Sequence, residues 1–460
     1  MKLSAEMRIA AVIAAVALLA GFVDLRVTEI KPSDPAAIEG PRFVERAVFC
    51  PPPLGNSESF VALTSTEESP IPVGLEPQSE EKLDVPPERL VVRDGSRLLN
   101  VVGYGGAVVA GAMTNRNGPI PGWGAARCSG VASNLWYFAA GSSLLDHEET
   151  LLLYNPFPDE AVASIVFYTP GGDTAKANLG DVAVPAGEVV SVAVNEFIQQ
   201  EAALGAVVSM QRGRVVAWRT LSAVPNDRAS GVQFTLGSTG ASTRWFFADG
   251  QLEQGIDEEI SVMNPSSREA VVSITLASEK QSLQLPQLVD QRIPPGTVKV
   301  FSLADAVRGG RSELGPVGAV VRSSNGVEVV AERTVWYGAV GAEGVESEIG
   351  AAEPAPSWLV APPSTLAGDN SLALLNPGSE AVRVEVSLYR PDGPALHPAP
   401  LRNLRIRAGR RATIDLDDWT NGALVMVLVR ADGPVVAERW AYSSTNSDVS
   451  TVLGTPLDQL

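Results

Sequence analysis

An internal repeat limits the folds that this sequence can adopt more than any other feature. An aromatic phrase recurs at intervals of 109 and 113 residues, and an Asn-Pro pair recurs at intervals of 109 and 112. The aromatic phrase begins at Trp136, Trp245 and Trp358, and the pair begins at Asn155, Asn264 and Asn376. Because the two phrases recur together, each copy is expected to be one structural unit with its own core.

Apolar residues alternate with other residues on both sides of each Asn-Pro pair. After Asn155 the apolar positions are Ala161, Ala163, Ile165 and Phe167, and the later copies keep the same offsets. A period of two predicts strands with one buried face. Proline cannot donate to a strand ladder and asparagine can close a turn with its side chain, so the three asparagines are predicted turn residues between the arms of a hairpin.

Three more phrases recur in each copy. A Val-Pro-Ala-Gly-like turn ends at Gly187, Gly296 and Gly409, a second hairpin is predicted to turn at Gly213, Gly326 and Gly433, and a closing phrase ends at Arg219, Arg333 and Arg439. We count about seven short strands per copy, which predicts a Greek-key sandwich. A propeller blade would take four strands in about 40 to 50 residues. The predicted fold is therefore all-β, with tandem immunoglobulin-like β-sandwich repeats after an N-terminal hydrophobic helix.

The repeat sets the predicted domain boundaries. Residues 47–133 are expected to form a diverged first unit, in which Gly111 and Ala112 replace the acid and the arginine of the closing phrase. The full division is 1–30 signal peptide or membrane anchor, 31–46 linker, 47–133 unit one, 134–240 unit two, 241–355 unit three and 356–460 unit four.

The first segment sets the predicted compartment. Ile9 to Val23 carries no charge, and a helix of this length covers about 22 Å, less than the roughly 30 Å of a bilayer core. It is typical of a signal peptide or a short signal anchor. The rest of the chain is therefore expected outside the membrane, anchored by this helix or secreted, where Cys50 and Cys128 are predicted to form a disulfide.

The recurring phrases together resemble a family of secreted actinobacterial proteins known as a domain of unknown function. The resemblance covers roughly residues 47 to 460 and rests on the aromatic strand, the Asn-Pro pair, the Val-Pro-Ala-Gly turn and the Val-Ala-Glu-Arg phrase. It implies the fold and an exported location, and no particular activity. The second unit departs from the pattern because Trp218 stands where the later units have Glu332 and Glu438.

Charge and composition exclude several classes of function. The net charge of −18 opposes binding to nucleic acid. With two histidines and two cysteines, the chain has no histidine-rich or thiolate metal site. It also lacks a Gly-x-Ser-x-Gly elbow, a Walker loop and a His-Glu-x-x-His motif, so we predict a protein that is not an enzyme and carries no cofactor.

Two acidic loops are the candidates for chemistry. His147 lies between Asp146 and Glu149, the one place where acid and base cluster, and a hydrolase would have to use these residues. The equivalent loops have no histidine, so a solvated loop before a strand is the preferred interpretation. Asp249, Asp257 and Glu258 are calcium candidates because Ca²⁺ takes oxygen ligands, although carboxylates capping a turn explain their recurrence equally well. No metal is therefore assigned.

Arg219, Arg333 and Arg439 are predicted to clamp successive units together. Each follows a Val-Ala strand, so its planar guanidinium is expected to lie partly buried between units, on carbonyl groups or stacked on Trp245 or Trp358. The alternative is recognition of a carboxylate or phosphate on a wall polymer. A sugar-binding platform would need exposed aromatic faces, for which the candidates are Trp123, Trp336, Tyr337 and Trp419.

These observations favour a non-enzymatic, extracytoplasmic scaffold, spacer or adhesion protein of the cell envelope, tethered to the membrane and built as a rod of four units. The alternative is a glycan-binding accessory protein of envelope polymer assembly. The predicted partners are an envelope protein or polysaccharide, with the membrane contacted through the N-terminal helix.

Overall fold

The computed structural model describes residues 45–457, apart from gaps at 54–57, 77–78, 98, 105, 117–121, 173–177, 225–229, 308–314, 340–341, 364–368 and 444–447. The predicted signal or anchor segment and nearly all of the predicted linker lie outside these residues. The first strand begins at Glu45, two residues before the predicted start of unit one. A compact body runs from Val44 to the end of the chain.

The described residues are mostly β-strands in antiparallel sheets, as the alternating pattern predicts. Unit one contains β1 Glu45–Phe49, β2 Glu58–Ser65, β3 Ile71–Glu76, β4 Ser79–Val85, β5 Val91–Asp94, β6 Asn100–Tyr104, β7 Val108–Arg116 and β8 Gly122–Arg127. Unit two contains β9 Leu135–Phe138, β10 His147–Tyr154, β11 Ala161–Tyr168, β12 Asn178–Val184, β13 Val189–Ala193, β14 Gly205–Arg212, β15 Val216–Ala223 and β16 Gly231–Leu236.

The later units add short segments to the same plan. Unit three contains β17 Arg244–Phe247, β18 Gln251–Leu252, β19 Ile256–Asn264, β20 Ala270–Ala277, β21 Ser282–Gln284, β22 Gln291–Ile293, β23 Thr297–Ser302, β24 Gly315–Pro316, β25 Gly318–Ser323, β26 Val330–Ala339 and β27 Ala342–Ile349. Unit four contains β28 Ala355–Val360, β29 Asn370–Asn376, β30 Val382–Tyr389, β31 Leu404–Ile406, β32 Arg410–Asp415, β33 Met426–Ser443, β34 Asp448–Leu453 and β35 Thr455–Pro456. Short helical turns lie at Val194–Glu196, Pro286–Leu288, Leu303–Val307, Ala399–Leu401 and Asp417–Thr420.

All four units share one strand order. In unit two one sheet runs β12-β11-β14-β9 and the other runs β13-β10-β15-β16. An immunoglobulin domain instead places its first, second, fourth and fifth strands in one sheet and its third, sixth and seventh in the other. The units are therefore β-sandwich-like, but their strand order differs from the predicted immunoglobulin-like one.

Both predicted hairpins are wrong. The Asn-Pro pair joins β10 to β11, which lie in opposite sheets, and the turn at Gly213 joins β14 to β15, which also lie in opposite sheets. In unit four the second connection is one unbroken strand, β33, which pairs with β30 in one sheet and with β29 in the other. In each case the turn residues carry the chain from one sheet to the other. The prediction failed because the alternation defines which face of a strand is buried but does not define which strand it pairs with.

Hydrogen bonds explain why the repeated phrases recur. The Asn155 side chain donates to the carbonyl oxygens of Asp159 and Val184 at 2.8 and 3.0 Å, which ties the sheet crossing to the loop before β11 and to the end of β12. Asn264 and Asn376 make the same pair of bonds to their equivalents. The indole nitrogens of Trp136, Trp245 and Trp358 donate in the same way to the carbonyl oxygens of Val215, Val329 and Val435.

The four units close into a ring and do not form the predicted rod. The strands β8, β16, β27 and β34 are equivalent in the four units. Each packs against its counterpart in the next unit, so β8 contacts β16, β16 contacts β27, β27 contacts β34, and β34 contacts β8. Unit one and unit four share an apolar interface in which Trp123 and Met113 pack with Leu359, Tyr389 and Met426. Because β34 returns to β8, the ring is closed, and these four strands surround one central axis.

Asp448 occupies that axis. Its carboxylate accepts the backbone N–H groups of Trp123 at 2.8 Å, of Val232 at 3.4 Å and of Val345, one from each other unit, and also that of Val449. The equivalent residues in units one to three are glycines, Gly122, Gly231 and Gly344. A Cβ on Gly122 would lie 2.2 Å from the Asp448 carboxylate, so the axis has room for one side chain.

Candidate functional site

The interfaces between successive units, called seams here, hold most of the buried charge. At the seam between units two and three, Arg219 donates to both carboxylate oxygens of Glu332, at 2.6 and 3.2 Å. One oxygen of Glu332 also accepts the N–H groups of Ala139 and Ala140, at 2.9 and 2.8 Å. Both charged side chains are fully buried, and each finds partners in the neighbouring unit. This geometry is that of a bidentate, charge-assisted pair.

The seam between units three and four repeats this arrangement and enlarges it. Arg333 donates to Glu438 at 3.2 Å, and Glu438 accepts the N–H of Asp249 at 2.8 Å. Arg333 also pairs with Glu346 at 3.2 Å, and Arg411 lies 3.4 Å from the carboxylate of Asp249. Burial disfavours the charge on Arg333, but the surrounding carboxylates outweigh it and raise its pKa well above the usual value.

Within the described residues, the two seams that involve unit one hold no counterpart of the Arg219–Glu332 pair. Arg439 bonds within unit four, to Asn370 and to the carbonyl oxygen of Val425. The unit-one residue in the position of Glu332 is Gly111, and a Cβ there would meet the Cβ of Ala361 at 2.5 Å. Burial lowers the pKa of Arg439 to about 9, and the charge of Asp417 offsets this only in part.

The remaining seam uses an indole in place of a carboxylate. Trp218 stands in the position of Glu332, is fully buried, and donates to the carbonyl oxygen of Arg127 in unit one at 3.4 Å. Unit one is also closed internally by the predicted disulfide between Cys50 and Cys128, which the structure confirms.

Several carboxyl groups in the ring interior are shifted toward their protonated form. Burial raises the pKa of Glu258 and of Glu346 to about 8, and that of Glu149 and of Glu348 to about 7. Arginines offset the effect in part, Arg333 for Glu258 and Arg127 for Glu348. The interior therefore takes up protons on folding at neutral pH.

Two of the three calcium candidates are bonded to other groups of the protein. Asp249 faces Arg411 and Arg333, and Glu258 accepts the N–H of Gln251 at 2.9 Å. Asp257 precedes Glu258 on β19 and is less buried, as expected for the opposite face of a strand. Among the described residues, no group of three or more His, Cys, Asp or Glu side chains has an arrangement suited to a metal ion.

The acidic loop of unit two borders a cavity. His147 lies at the start of β10, mostly buried, with its Nδ1 atom 2.7 Å from the Asp146 carboxylate. Glu149 is buried on the same strand and accepts the N–H of Ser142 at 2.7 Å. Asp146 and His147 line a cavity of about 450 Å³ at the seam with unit three. Leu145 and Glu148 of the same loop are exposed, so the loop is only partly the solvated segment that was predicted.

The aromatic candidates do not form an exposed platform. Trp123, Trp336 and Tyr337 are all buried, and Trp419 packs against the core of unit four.

His397, the second histidine of the chain, lies within 2.9 Å of the Ser387 hydroxyl. In the part of the chain that the structure describes, no helix is long and apolar enough to cross a membrane.

Sequence reasoning missed the acids on the last strands. Glu346 and Glu348 lie on β27 and Asp448 begins β34, and all three are buried. A signal was present, because charged residues in a short strand near the end of a repeat are unusual for a core. Gln233 on β16 was missed for the same reason, since it alternates with apolar neighbours as a surface residue would.

One family model matches the chain over two overlapping stretches. Residues 102–332 and 240–455 match the model of a family described as "Family of unknown function (DUF5719)", and together they span more than half of the chain. The chain belongs to this family. The resemblance to a domain family of unknown function is thereby confirmed, while an actinobacterial source stays a prediction. No curated protein matches the chain.

Solved structures match single units or match weakly over more of the chain. Thermotoga maritima 1070 is 20% identical over 24% of this chain and 95% of its own, with a TM-score of 0.21. The Anabaena sensory rhodopsin transducer is 20% identical over 19% of this chain and 95% of its own, with a TM-score of 0.16. An α-L-rhamnosidase of Streptomyces avermitilis is 11% identical over 89% of this chain and 54% of its own, with a TM-score of 0.14. At these scores the matches say nothing about function.

Proposed function

We propose that this protein is a non-enzymatic scaffold or adhesion protein of the cell envelope, held outside the membrane by its N-terminal segment or secreted. The observation that carries the proposal is that the charged residues of the repeated closing phrase lie inside the seams. Arg219 and Arg333 are fully buried and are bonded to Glu332 and Glu438 of the next unit. The repeated chemistry of the chain therefore holds units together.

A scaffold fits this architecture better than a spacer does. Four units joined end to end would separate their attachment points, but here unit one packs against unit four. The ring instead presents four related outer faces around one buried interior. Such a body suits the assembly of several partners at one place, which we take to be envelope proteins or polysaccharides.

Site-specific crosslinking in intact cells tests this proposal. A photo-crosslinking residue at Leu145 places the probe at a side chain that is 90% exposed, at one end of unit two. The same probe at Asp159 tests the opposite end of that unit. We expect a discrete crosslinked partner from at least one position, identified by mass spectrometry. If neither position captures any envelope component, the scaffold role is contradicted.

The mass of the N-terminal peptide of the native protein separates the two modes of attachment. A peptide that begins at Met1 means a tethered protein, and one that begins after the hydrophobic segment means a released one. Recovery of the protein in the cytosol would contradict both.

A glycan-binding accessory role is the second candidate. Its expected aromatic platform is absent among the described aromatic candidates, which are buried or packed on the core. One observation still favours it, the cavity between units two and three, whose wall includes polar side chains. Pull-down on purified cell wall tests it, and the protein staying in the unbound fraction would exclude it.

A further inference from the structure

The cavity between units two and three is built from both units. Unit two contributes Asp146, His147, Leu221 and Gln233, and unit three contributes Thr334 and Trp336, among others. Its volume, about 450 Å³, lies in the usual range of small-molecule sites. Its wall combines apolar side chains with a few polar groups, as such sites do.

Gln233 is the unusual residue of this wall. Its side chain is buried, with 2% of the residue exposed, and neither its Oε1 nor its Nε2 atom has a hydrogen-bond partner. A buried amide without partners loses the hydrogen bonds that water gave it, which costs about 1–3 kcal/mol. Native structures keep few such groups, and each calls for an explanation.

The next seam shows how the repeat fills this position when no cavity is kept. Glu346 occupies the place of Gln233, two residues after the axial glycine, and it bonds Arg333 at 3.2 Å and the Tyr337 hydroxyl at 3.5 Å. The rings of Tyr337 and Trp440 pack there at 5.9 Å.

Smaller residues take those two places at the seam between units two and three. Ala223 replaces the tyrosine four residues after the arginine, and Thr334 replaces the tryptophan one residue after it. Of these two residues only Thr334 lines the cavity, beside Gln233, while Trp336 packs on Ala223. The cavity and the unsatisfied amide therefore both lie where Thr334 stands in place of a tryptophan.

The wall chemistry selects the class of ligand. A glutamine amide needs a donor for its oxygen and an acceptor for its NH₂ group, and a hydroxyl group can serve as either. An anion would be repelled by the carboxylates of Asp146 and Glu259, both at the wall, and no Lys or Arg is among the lining residues. A simple cation would leave the NH₂ group unpaired. The apolar wall suits the C–H face of a sugar.

We propose that this cavity binds a small neutral polyhydroxyl ligand, a mono- or disaccharide, with Gln233 as its buried hydrogen-bonding residue. The proposal goes beyond the scaffold role and does not depend on it. A protein that captures no partner in cells can still bind sugar, and one that binds no sugar can still be a scaffold.

Thermal unfolding and intrinsic tryptophan fluorescence of the full chain test the proposal, with N-acetyl-D-glucosamine and D-mannose as probes at high millimolar concentration. We expect at least one of these sugars to raise the unfolding temperature in a saturable manner. D-Glucuronate is expected to have no such effect because it is an anion. If neither neutral sugar changes either signal, the proposal is wrong.

The variant Gln233→Leu separates a ligand site from a packing defect. Without ligand it should unfold at a higher temperature than the wild type, because the unsatisfied amide is gone, and it should bind the sugar about tenfold or more weakly. Gln284→Leu makes the same change at an exposed position on β21 and should leave binding unchanged. Sugar binding that is unaltered in Gln233→Leu would overturn the proposal.

A second variant covers the case in which Gln233→Leu does not fold. Thr334→Phe inserts an aromatic ring where unit four carries Trp440, so it should fill the cavity and abolish the sugar response. Full sugar affinity in Thr334→Phe would also overturn the proposal.

Discussion

At the scale of single residues, the arginines of the closing phrase differ in what they find across the seam. Arg219 and Arg333 each meet a buried carboxylate of the next unit, whereas Arg439 bonds within its own unit. The pattern Val-Ala-Glu-Arg predicted three equivalent residues. Equivalence fails because the partner lies on the following unit, and unit one, which follows unit four in the ring, has Gly111 in that place.

The variant Arg333→Met tests the contribution of the buried pair. It leaves Glu438 and Glu346 without their cation, so we expect a loss of about 3–5 kcal/mol in the free energy of unfolding. Arg439→Met is the matched control, with a smaller loss because no carboxylate of another unit depends on it. Denaturant unfolding of both variants measures the difference. Equal stability of Arg333→Met and the wild type would show that the pair does not hold the seam.

Buried carboxyl groups predict an unusual dependence of stability on pH. Burial raises the pKa of Glu258 in the folded protein to about 8, from an ordinary value of 4.5, so the folded protein binds more protons than the unfolded chain between these values. The free energy of unfolding should therefore fall as pH rises through this window, by about 1.4 kcal/mol per pH unit for each such group.

Glu258→Gln should flatten this slope, because the amide does not titrate. Glu269→Gln, which changes an exposed partner of Arg292, should leave the slope as it is. Denaturant melts at a series of pH values measure both. A wild-type stability that rises steadily with pH over this window would contradict the assignment.

At the scale of elements, the sequence predicts strands and turns well and their pairing poorly. Alternation identified the buried faces of β11, β20 and β30, and Asn155 and its equivalents lie in turns as expected. The hairpins failed because a crossing between sheets and a hairpin need the same turn residues. The strand β33 is an example, because Asp432 and Gly433 were predicted to form a hairpin turn but lie within one continuous strand.

The axial contacts of the last strands give a third prediction. Gly122→Ala places a methyl group against the Asp448 carboxylate and should destabilise the protein. Asp448→Gly should also destabilise it, because backbone N–H groups from four units lose their acceptor. The double variant should be more stable than the sum of the two losses implies, since one change removes the obstacle met by the other. If the losses in the free energy of unfolding were additive, the two residues would not interact, which would contradict this contact.

The disulfide gives a fourth prediction, limited to unit one. Cys50 and Cys128 are 78 residues apart in sequence, and a crosslink over a loop of that size stabilises a fold by about 4.5 kcal/mol in the chain-entropy model. The Cys50→Ala/Cys128→Ala variant should therefore unfold at lower denaturant concentration. Hydrogen exchange should show the loss of protection mainly in β1 to β8, and a uniform loss over all units would contradict this.

At the scale of the whole molecule, ring closure was not predictable from the repeat. The same phrases would suit a linear array, because each unit meets its neighbours through the same kinds of residue. Closure depends on the relative rotation of successive units, which the packing of β8, β16, β27 and β34 sets. The cavity was unpredictable for a similar reason, since it lies between residues more than a hundred positions apart.

Small-angle scattering tests the closed form directly. A compact body of this length has a radius of gyration of about 22 Å, and a linear array of four units gives a clearly larger value. Met426→Glu places a charge in the apolar interface between units one and four. We expect this variant to show a larger radius, whereas Glu269→Gln should not. An elongated wild-type particle would contradict the ring.

The single aspartate on the axis bears on why the four units belong to one polypeptide. Four identical subunits obey rotational symmetry, so whatever one subunit places at the centre, all of them place there. Copies of unit four would bring four aspartates into a space that admits one, and copies of any other unit would leave the central amides without an acceptor. A single chain of unequal repeats supplies one acid and three glycines at the same point, which identical subunits cannot do. The same inequality lets one seam keep a cavity that the next seam fills with side chains.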